Sequence, residues 1–266
     1  MRDVTLGQYY PADSILHRLD PRLKIVSLIA LIVLTFCSFN YFSLALVVAL
    51  VLTVILLSKV PIRMYFKSLK VIIIIVIITS LLNLFYGAGE VIFQWWIFKV
   101  TWEGIHNAIF VCTRIICLIL FSSALTFTTS PNDLTDALER LMKPLKIFHI
   151  QVHEIAMMMT IALRFVPTLL EETDKIIAAQ KARGADMESG NLISRAKALT
   201  PVLVPLFVSS FRRAYELAVA MECRCYHGGE GRTRMKQLKM SKRDYLCMAL
   251  LILAIAGVIL CNIFLS

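Results

Sequence analysis

Five long apolar stretches dominate the pattern of hydrophobic and polar positions along the chain. A helix needs about 20 mostly apolar residues to cross a bilayer, within a range of about 17–25, and each stretch meets or approaches that length. The stretches run from about Ile25 to Phe39, Phe42 to Leu57, Leu69 to Phe85, Ile105 to Phe127 and Tyr245 to Leu265. The first two are so close together that they predict a tight helical hairpin. The pattern therefore predicts five transmembrane helices.

The region between the fourth and fifth stretches has a different pattern, with apolar residues at helical spacing between many charges. Ser130 and Pro131 form a typical helix start, a capping hydroxyl followed by proline at the first helical position. Two longer helices are predicted beyond it, from about Gln151 to Arg183 and from about Asn191 to Cys225. We expect these helices to be cytoplasmic and to lie along the membrane surface or under the spans.

Composition agrees with a membrane protein and excludes an ordinary soluble domain. Hydrophobic residues make up 58% of the 266 residues and charged residues 17%, and the mean hydropathy is +0.75. Soluble proteins have roughly 45–50% apolar and about 25% charged residues. The net charge is nevertheless +10. Apolar and basic residues must therefore be segregated along the chain.

The distribution of lysine and arginine predicts the orientation in the membrane. The loop between the second and third stretches holds four cations and no acid, and the region 128–243 holds 18 cations. With four more in the N-terminal tail, 26 of the 28 cations lie on one side of the predicted membrane. Since cytoplasmic loops are enriched in lysine and arginine, we expect a cytoplasmic N-terminus and an extracellular C-terminus in the cell membrane. We expect the bilayer, and no nucleic acid, as the partner of this charge.

The predicted fold class is all-α, with about five transmembrane helices and a helical cytoplasmic domain between the fourth and fifth. We expect three parts: residues 1–127 with four transmembrane helices, 128–243 with the cytoplasmic helices, and 244–266 with the last transmembrane helix. The segment Val91–Val100 is apolar but too short to span. It is predicted to be re-entrant, interfacial or a short hairpin near the outer surface, where tryptophan is favoured.

Several residues were considered as catalytic or metal-binding groups. Cys223, Cys225 and His227 have C-x-C-x-H spacing but lack a fourth ligand, and His149 and His153 lack the H-E-x-x-H order of a zinc protease. The glycines at 228–231 do not form a phosphate-binding G-x-x-x-x-G-K-[ST] loop. We therefore expect a non-catalytic chain without a metal or other cofactor of its own.

Arg114 lies inside the fourth stretch, where a charge costs roughly 2.5–3.5 kcal/mol at the bilayer centre. A functional role and a structural contact inside the helix bundle both stay open. No aspartate or glutamate lies deep in any predicted span. This disfavours a carrier driven by protons or sodium, so the energy for transport must come from elsewhere.

Three sequence blocks resemble the transmembrane T component of energy-coupling factor transporters. They are GQYYPADSILHRLDPRLKI at Gly7–Ile25, TTSPNDLTDALERLMKPLK at Thr128–Lys146 and AAQKARGAD at Ala178–Asp186. The resemblance covers essentially the whole chain. It implies a membrane T component that works with two cytosolic ABC-type ATPases, which bind the ATP, and with one or several membrane S components that bind a vitamin or other micronutrient.

The resemblance also implies that the ends of two coupling helices insert into grooves on the ATPases through an Ala-Arg-Gly motif. The first end matches as Ala182, Arg183 and Gly184, whereas the second reads Cys223, Arg224 and Cys225, with only the arginine kept. A methionine-rich face of the cytoplasmic helices would suit several S components. Two alternatives remain: a T component dedicated to cobalt or nickel import, and a membrane-embedded metal-dependent enzyme.

Overall fold

A computed structural model describes residues 9–85, 91–95, 98–185, 191–228, 238 and 240–264. Most of the described chain is helical, and the all-α, polytopic fold class is confirmed. The elements are α1 (Pro21–Cys37), α2 (Tyr41–Ser58), α3 (Ile62–Phe85), β1 (Val91–Trp95), β2 (Phe98–Thr101), α4 (Trp102–Thr128), α5 (Pro131–Leu141), a 3-10 helix (Lys143–Phe148), α6 (Val152–Ala182), α7 (Leu192–Glu222) and α8 (Lys242–Phe264).

Five helices of the described chain are long and apolar enough to cross a membrane: α2, α3, α4, α6 and α8. Four of them coincide with predicted spans. The first predicted span forms α1, which has 17 residues and so lies at the lower limit for a crossing. The long helix α6, predicted to be cytoplasmic, qualifies by composition because its first half is apolar apart from two charges, Glu154 and Arg164.

The chain divides into two compact units, each described separately: Gly7–Ala137 with Gln237–Ser266, and Leu138–Lys236. The predicted domain bounds at 127 and 243 stay a prediction. In the first unit, α4 packs against α1, α2 and α3, and α8 packs against α1 and α2. Their contact is a core of buried residues from four helices: Leu31, Leu34, Val47, Val51, Cys117, Phe121 and Val258.

Gly104 permits a very close approach between the start of α4 and the end of α3. A Cβ atom at this position would lie 2.6 Å from the backbone oxygen of Leu84 and 2.9 Å from the Thr101 hydroxyl. Thr101 caps α4, because its hydroxyl accepts a hydrogen bond from the Gly104 N–H at 3.1 Å. Much of the rest of α3 is apolar and exposed, as expected of a helix that faces lipid.

Arg114 ties the turn between α1 and α2 to the middle of α4. Its guanidinium donates a hydrogen bond to the carbonyl of Ser38, the residue that follows α1, and lies 6.0 Å from the ring centroid of Phe39 and 5.8 Å from that of Phe110. A cation is favourable at a helix C-terminus because the helix dipole is negative there. The sequence left open a functional and a structural role for Arg114, and these contacts support the structural role.

A buried polar network lies at the opposite end of α1, where α4 ends and α8 begins. The Lys24 ammonium donates to the Thr128 carbonyl at 2.8 Å and to the Thr129 hydroxyl at 3.2 Å. The buried Asp244 carboxylate accepts a hydrogen bond from the backbone N–H of Asp20 at 2.9 Å. Sequence reasoning had counted Lys24 as part of the polar tail. Its burial follows from the start of α1 at Pro21, which places it in the first turn of the helix.

The strands β1 and β2 pair as a small antiparallel hairpin. In its register Gln94 pairs with Lys99 and Trp95 with Phe98, with an irregularity between Val91 and Phe93. A short hairpin was one of the three forms predicted for this segment. Its depth in the membrane stays a prediction, and Trp96 lies outside the described residues.

Candidate functional site

The second unit is built around two helices of equal length, α6 and α7, of 31 residues each. Both continue through internal prolines, Pro167 in α6 and Pro201 and Pro205 in α7. Glu172 of α6 accepts hydrogen bonds from the Ser209 hydroxyl and, at 2.9 Å, from the Arg213 guanidinium. This cluster joins the two helices about two thirds of the way along each.

The contacts between α6 and α7 show that the two helices are antiparallel. Gln180, near the end of α6, donates to the carbonyl of Pro201 in the first half of α7 at 3.3 Å. Ile161 and Phe165, in the first half of α6, line a cavity of about 250 Å³ together with Leu217 and Met221 near the end of α7. Arg183 and Arg224, which follow the two helices, therefore lie at opposite ends of the pair, roughly 35 Å apart along its axis at 1.5 Å per residue.

The end of α6 is a Schellman motif. The N–H of Ala185 donates to the carbonyl of Gln180 at 3.0 Å, and the N–H of Gly184 donates to the carbonyl of Lys181 at 3.0 Å. Gly184 has φ of +85°, the left-handed conformation that this motif requires and that glycine adopts without a steric cost. Arg183 is the capping residue, as the sequence predicted.

The end of α7 is the same motif with a different sequence. The N–H of Tyr226 donates to the carbonyl of Met221 at 3.1 Å, and the N–H of Cys225 donates to the carbonyl of Glu222 at 2.8 Å. Cys225 has φ of +55° and so occupies the position of Gly184. Arg224 is again the capping residue. The departure from Ala-Arg-Gly thus changes side chains while the backbone geometry is retained.

All six residues that the sequence singled out lie at these two ends, and all six are exposed: Ala182, Arg183, Gly184, Cys223, Arg224 and Cys225. The structure does not bring the two triplets together, because they terminate antiparallel helices. Within the described ranges, neither Arg183 nor Arg224 forms an ion pair. Both residues are exposed, and an exposed guanidinium can donate two parallel hydrogen bonds to a carboxylate.

An apolar row lies exposed along α7. Its members are four residues apart, so each lies next to the following one and the row winds gradually around the helix, by about 40° per step at 3.6 residues per turn. They are Leu199, Leu203, Phe207, Phe211, Tyr215 and Val219. Phe211 and Tyr215 are each 73% exposed, and Met158 on α6 is 59% exposed. Exposed apolar surface of this extent marks a contact with lipid or with another protein.

The other candidates from the sequence do not converge on one site. His153 contacts the Glu139 carboxylate through Nδ1 at 3.1 Å, and His149 follows the 3-10 helix with a positive φ. Over the part of the chain that the structure describes, no three side chains of histidine, cysteine, aspartate or glutamate are grouped to hold a metal ion. Cys223 and Cys225 are free and exposed.

Sequence reasoning missed the cluster of Glu172, Ser209 and Arg213. Glu172 and Arg213 are 41 residues apart, the same spacing that separates Arg183 from Arg224. That repeated spacing is the signal that could have pointed to two equivalent helices meeting at these positions.

The fold and these two ends define a polytopic helical membrane protein that carries a pair of long helices with exposed arginine caps. Comparison with known proteins identifies the family. A family model described as "Cobalt transport protein" (CbiQ) matches residues 12–235. The chain is also 49% identical over 260 residues to the energy-coupling factor transporter transmembrane protein EcfT of Ruminiclostridium cellulolyticum, covering 98% of this chain and 97% of the relative.

A second relative, the protein of the same name from Clostridium kluyveri, is 53% identical over 248 residues, with 92% of each chain covered. The chain belongs to the EcfT family, and it is a multi-pass transmembrane component of an energy-coupling factor transporter. Membership of such a transporter means that it acts in a membrane complex with other subunits.

Proposed function

We propose that this chain is the coupling subunit that transmits ATP-driven motion from two cytosolic ABC-type ATPases to a membrane S component during vitamin or micronutrient uptake. The observation that carries the proposal is the pair of matching helix ends, each with an exposed arginine before a left-handed residue. The chain itself would be non-catalytic, and ATP would be bound by the ATPases.

Arg183 and Arg224 are the residues that we assign to ATPase binding. An arginine fork can pair with a carboxylate through two parallel hydrogen bonds, which fixes direction as well as position. The Schellman motif turns the chain away immediately after each arginine, so the side chain is presented at the tip of a rigid helix. Ala182, Gly184, Cys223 and Cys225 are proposed to line the same contacts.

The spacing of the two ends supports two separate ATPase contacts. Roughly 35 Å along the helix axis is too far for one groove to hold both arginines, since a helix with its side chains is only about 10–12 Å wide. Two ATPase subunits, each binding one end, match this separation.

The exposed apolar row on α7 and Met158 on α6 are proposed to bind the S component. Methionine adapts its shape to different apolar partners, which suits interchangeable S components. For orientation we propose a cytoplasmic N-terminus and an extracellular C-terminus, because 26 of the 28 cations then face the cytoplasm. In this arrangement α1 crosses the membrane and α6 does not.

The test is charge reversal at both ends, with Arg183→Glu and Arg224→Glu in one chain. Breaking an interfacial charge pair costs about 2–5 kcal/mol, so ATPase binding should weaken by roughly 30-fold or more. The measurement is the amount of ATPase that copurifies with the tagged chain from membranes, together with vitamin uptake by cells.

The matched control reverses two other exposed cations on the same two helices, Lys175→Glu in α6 and Arg212→Glu in α7. Both lie nearer the middle of the antiparallel pair than Arg183 and Arg224 do. The control should retain the ATPases. Normal ATPase copurification and uptake in the Arg183 and Arg224 variant would contradict the proposal, as would an equal loss in the control.

A T component dedicated to cobalt or nickel import is the second candidate, favoured by the description of the matching family model. The two candidates differ in the membrane partner. Pull-down of the intact complex would yield several vitamin-binding S components in the first case and a single metal-binding subunit in the second. Cobalt or nickel uptake that depends on this chain would establish the second.

A further inference from the structure

A cavity of about 200 Å³ lies within the first unit, between α1, α2, α4 and α8. Its inner wall is buried and apolar, whereas Thr53, Leu57 and Leu250 on its margin are exposed. These exposed residues belong to α2 and α8, so the cavity opens sideways between those two helices. In a membrane, this opening faces the hydrocarbon chains of the lipid.

The polar groups of the cavity wall are already satisfied within the protein. The hydroxyls of Thr53 and Thr128 donate to the carbonyls of Ala49 and Ala124, at 2.8 and 2.7 Å. The Lys24 ammonium is held by Thr128 and Thr129. The wall therefore offers little to a polar ligand. An apolar cavity of about 150 Å³ is already large enough to stay dry and to bind benzene, so this one suits a hydrocarbon chain.

The polar end of this opening carries positive charge. Lys59 directly follows α2, and Lys242 and Arg243 begin α8. All three are exposed, and each lies within five residues along the chain of Leu57 or Cys247, which line that end of the cavity.

The buried acids nearby are already bonded. Asp20 forms an ion pair with Arg22 at 2.8 Å, and Asp244 accepts hydrogen bonds from two backbone N–H groups, of Asp20 and Ser241. The exposed Asp13, three residues from the lining residue Leu16, is paired with Arg18 at 3.4 Å. The exposed charges at this end of α2 and α8 are Lys59, Lys242 and Arg243.

We propose that this cavity binds an anionic phospholipid, with one acyl chain between α2 and α8 and the phosphate beside Lys59, Lys242 and Arg243. A hydrocarbon chain gains little by leaving other lipid chains for an apolar wall. The choice between lipids therefore depends on the headgroup charge. Under the orientation proposed above, the lipid comes from the cytoplasmic leaflet. The inference does not depend on ATPase or S-component binding.

The first experiment blocks the acyl chain. The full-length chain is purified from nanodiscs of equal parts phosphatidylglycerol and phosphatidylcholine, and retained lipid is counted by native mass spectrometry. The wild-type chain should retain one phosphatidylglycerol. Thr53→Trp should lower its retention by roughly tenfold, because a large side chain fills the opening. Thr126→Trp is the matched control: Thr126 is equally an exposed threonine on a span, it bonds the carbonyl of Ser122, and it does not line the cavity.

The second experiment removes the headgroup contacts with Lys59→Gln, Lys242→Gln and Arg243→Gln in one chain. At about 1 kcal/mol per cation near the lipid surface, the preference for phosphatidylglycerol should fall by roughly 100-fold. The control removes three exposed cations of α3: Arg63→Gln, Lys67→Gln and Lys70→Gln. Equal retention of the two lipids by the wild-type chain, or equal losses in variant and control, would overturn the proposal. Retention unchanged by Thr53→Trp would also overturn it.

Discussion

Cys225 has the same left-handed backbone conformation at the end of α7 that Gly184 has at the end of α6, with φ of +55° and +85°. Each residue lies directly after the arginine that caps its helix, and each donates its N–H to the carbonyl three residues earlier, at 2.8 Å for Cys225 and 3.0 Å for Gly184. Glycine adopts this conformation freely, whereas a residue with a Cβ atom pays about 1–2 kcal/mol. The α7 end therefore contains a strain that the α6 end lacks.

Replacing Cys225 by glycine should relieve this strain and stabilise the end of α7 by about 1 kcal/mol. The measurement is amide hydrogen exchange of peptides that contain Tyr226, whose N–H closes the motif. Exchange should slow by roughly fivefold. Cys223→Gly is the control, since Cys223 is equally exposed but does not have a positive φ. Glycine at position 223 should speed exchange. The same effect from both substitutions would show that the left-handed Cys225 is not strained.

Reversing the charge of either partner in the Glu172–Arg213 pair should loosen the contact between α6 and α7. The side chains are 22% and 36% exposed, so water screens the pair and each single variant should weaken the contact without abolishing it. Glu172→Arg combined with Arg213→Glu should restore most of the contact between α6 and α7, because the two charges are exchanged and still attract. Spin labels at the two helix ends would report the change as a broader distance distribution in the single variants. A double variant no better than the singles would show that the pair contributes no coupling.

Gly104→Ala should destabilise the packing of α3 on α4 by about 1–3 kcal/mol, since the new Cβ would lie 2.6 Å from a backbone oxygen that cannot move aside. The free energy of unfolding in a denaturant titration is the measurement. Gly257→Ala in α8 is the control. Its Cβ would lie 3.6 Å from Leu46 Cδ1, an ordinary contact, and alanine favours the helix. Tolerance of alanine at both positions would contradict the close approach.

Arg114→Met should leave the Ser38 carbonyl without its side-chain donor in an apolar setting, at a cost of about 1–3 kcal/mol. The measurement is again the free energy of unfolding in a denaturant titration. Arg18→Met provides the comparison, because Arg18 forms only an exposed ion pair with Asp13 at 3.4 Å, worth about 0–1 kcal/mol. If the two variants lose equal stability, Arg114 does not hold the turn between α1 and α2.

The spans were predictable because lipid imposes one strong requirement, a long apolar helix, and α2, α3, α4 and α8 satisfy it plainly. Length and composition leave α1 and α6 less distinct, since α1 is short and the first half of α6 is apolar. The helix ends were predictable from a local signal, because an arginine followed by a glycine is typical of a helix C-terminus. Gly184 gave that signal, and the α6 end was confirmed at Arg183.

The features that could not be predicted depend on contacts between distant parts of the chain. Lys24 is buried because it meets the end of α4, 104 residues away. Glu172 meets Arg213 because two helices fold back on one another, which helical spacing within either one cannot reveal. The left-handed Cys225 was hidden because cysteine rarely adopts that conformation, and only the bonding around it identifies the motif.

Two antiparallel helices of equal length are related by an approximate two-fold axis, and that symmetry locates the Glu172–Arg213 pair. Glu172 lies 11 residues before Arg183, and Arg213 lies 11 residues before Arg224. The pair therefore sits at the pivot of two matched arms. Under the proposed function, a single, asymmetric chain would offer a nearly symmetric surface to the two ATPases. The different residues at its two tips, glycine on one and cysteine on the other, would still allow the ATPases to be distinguished.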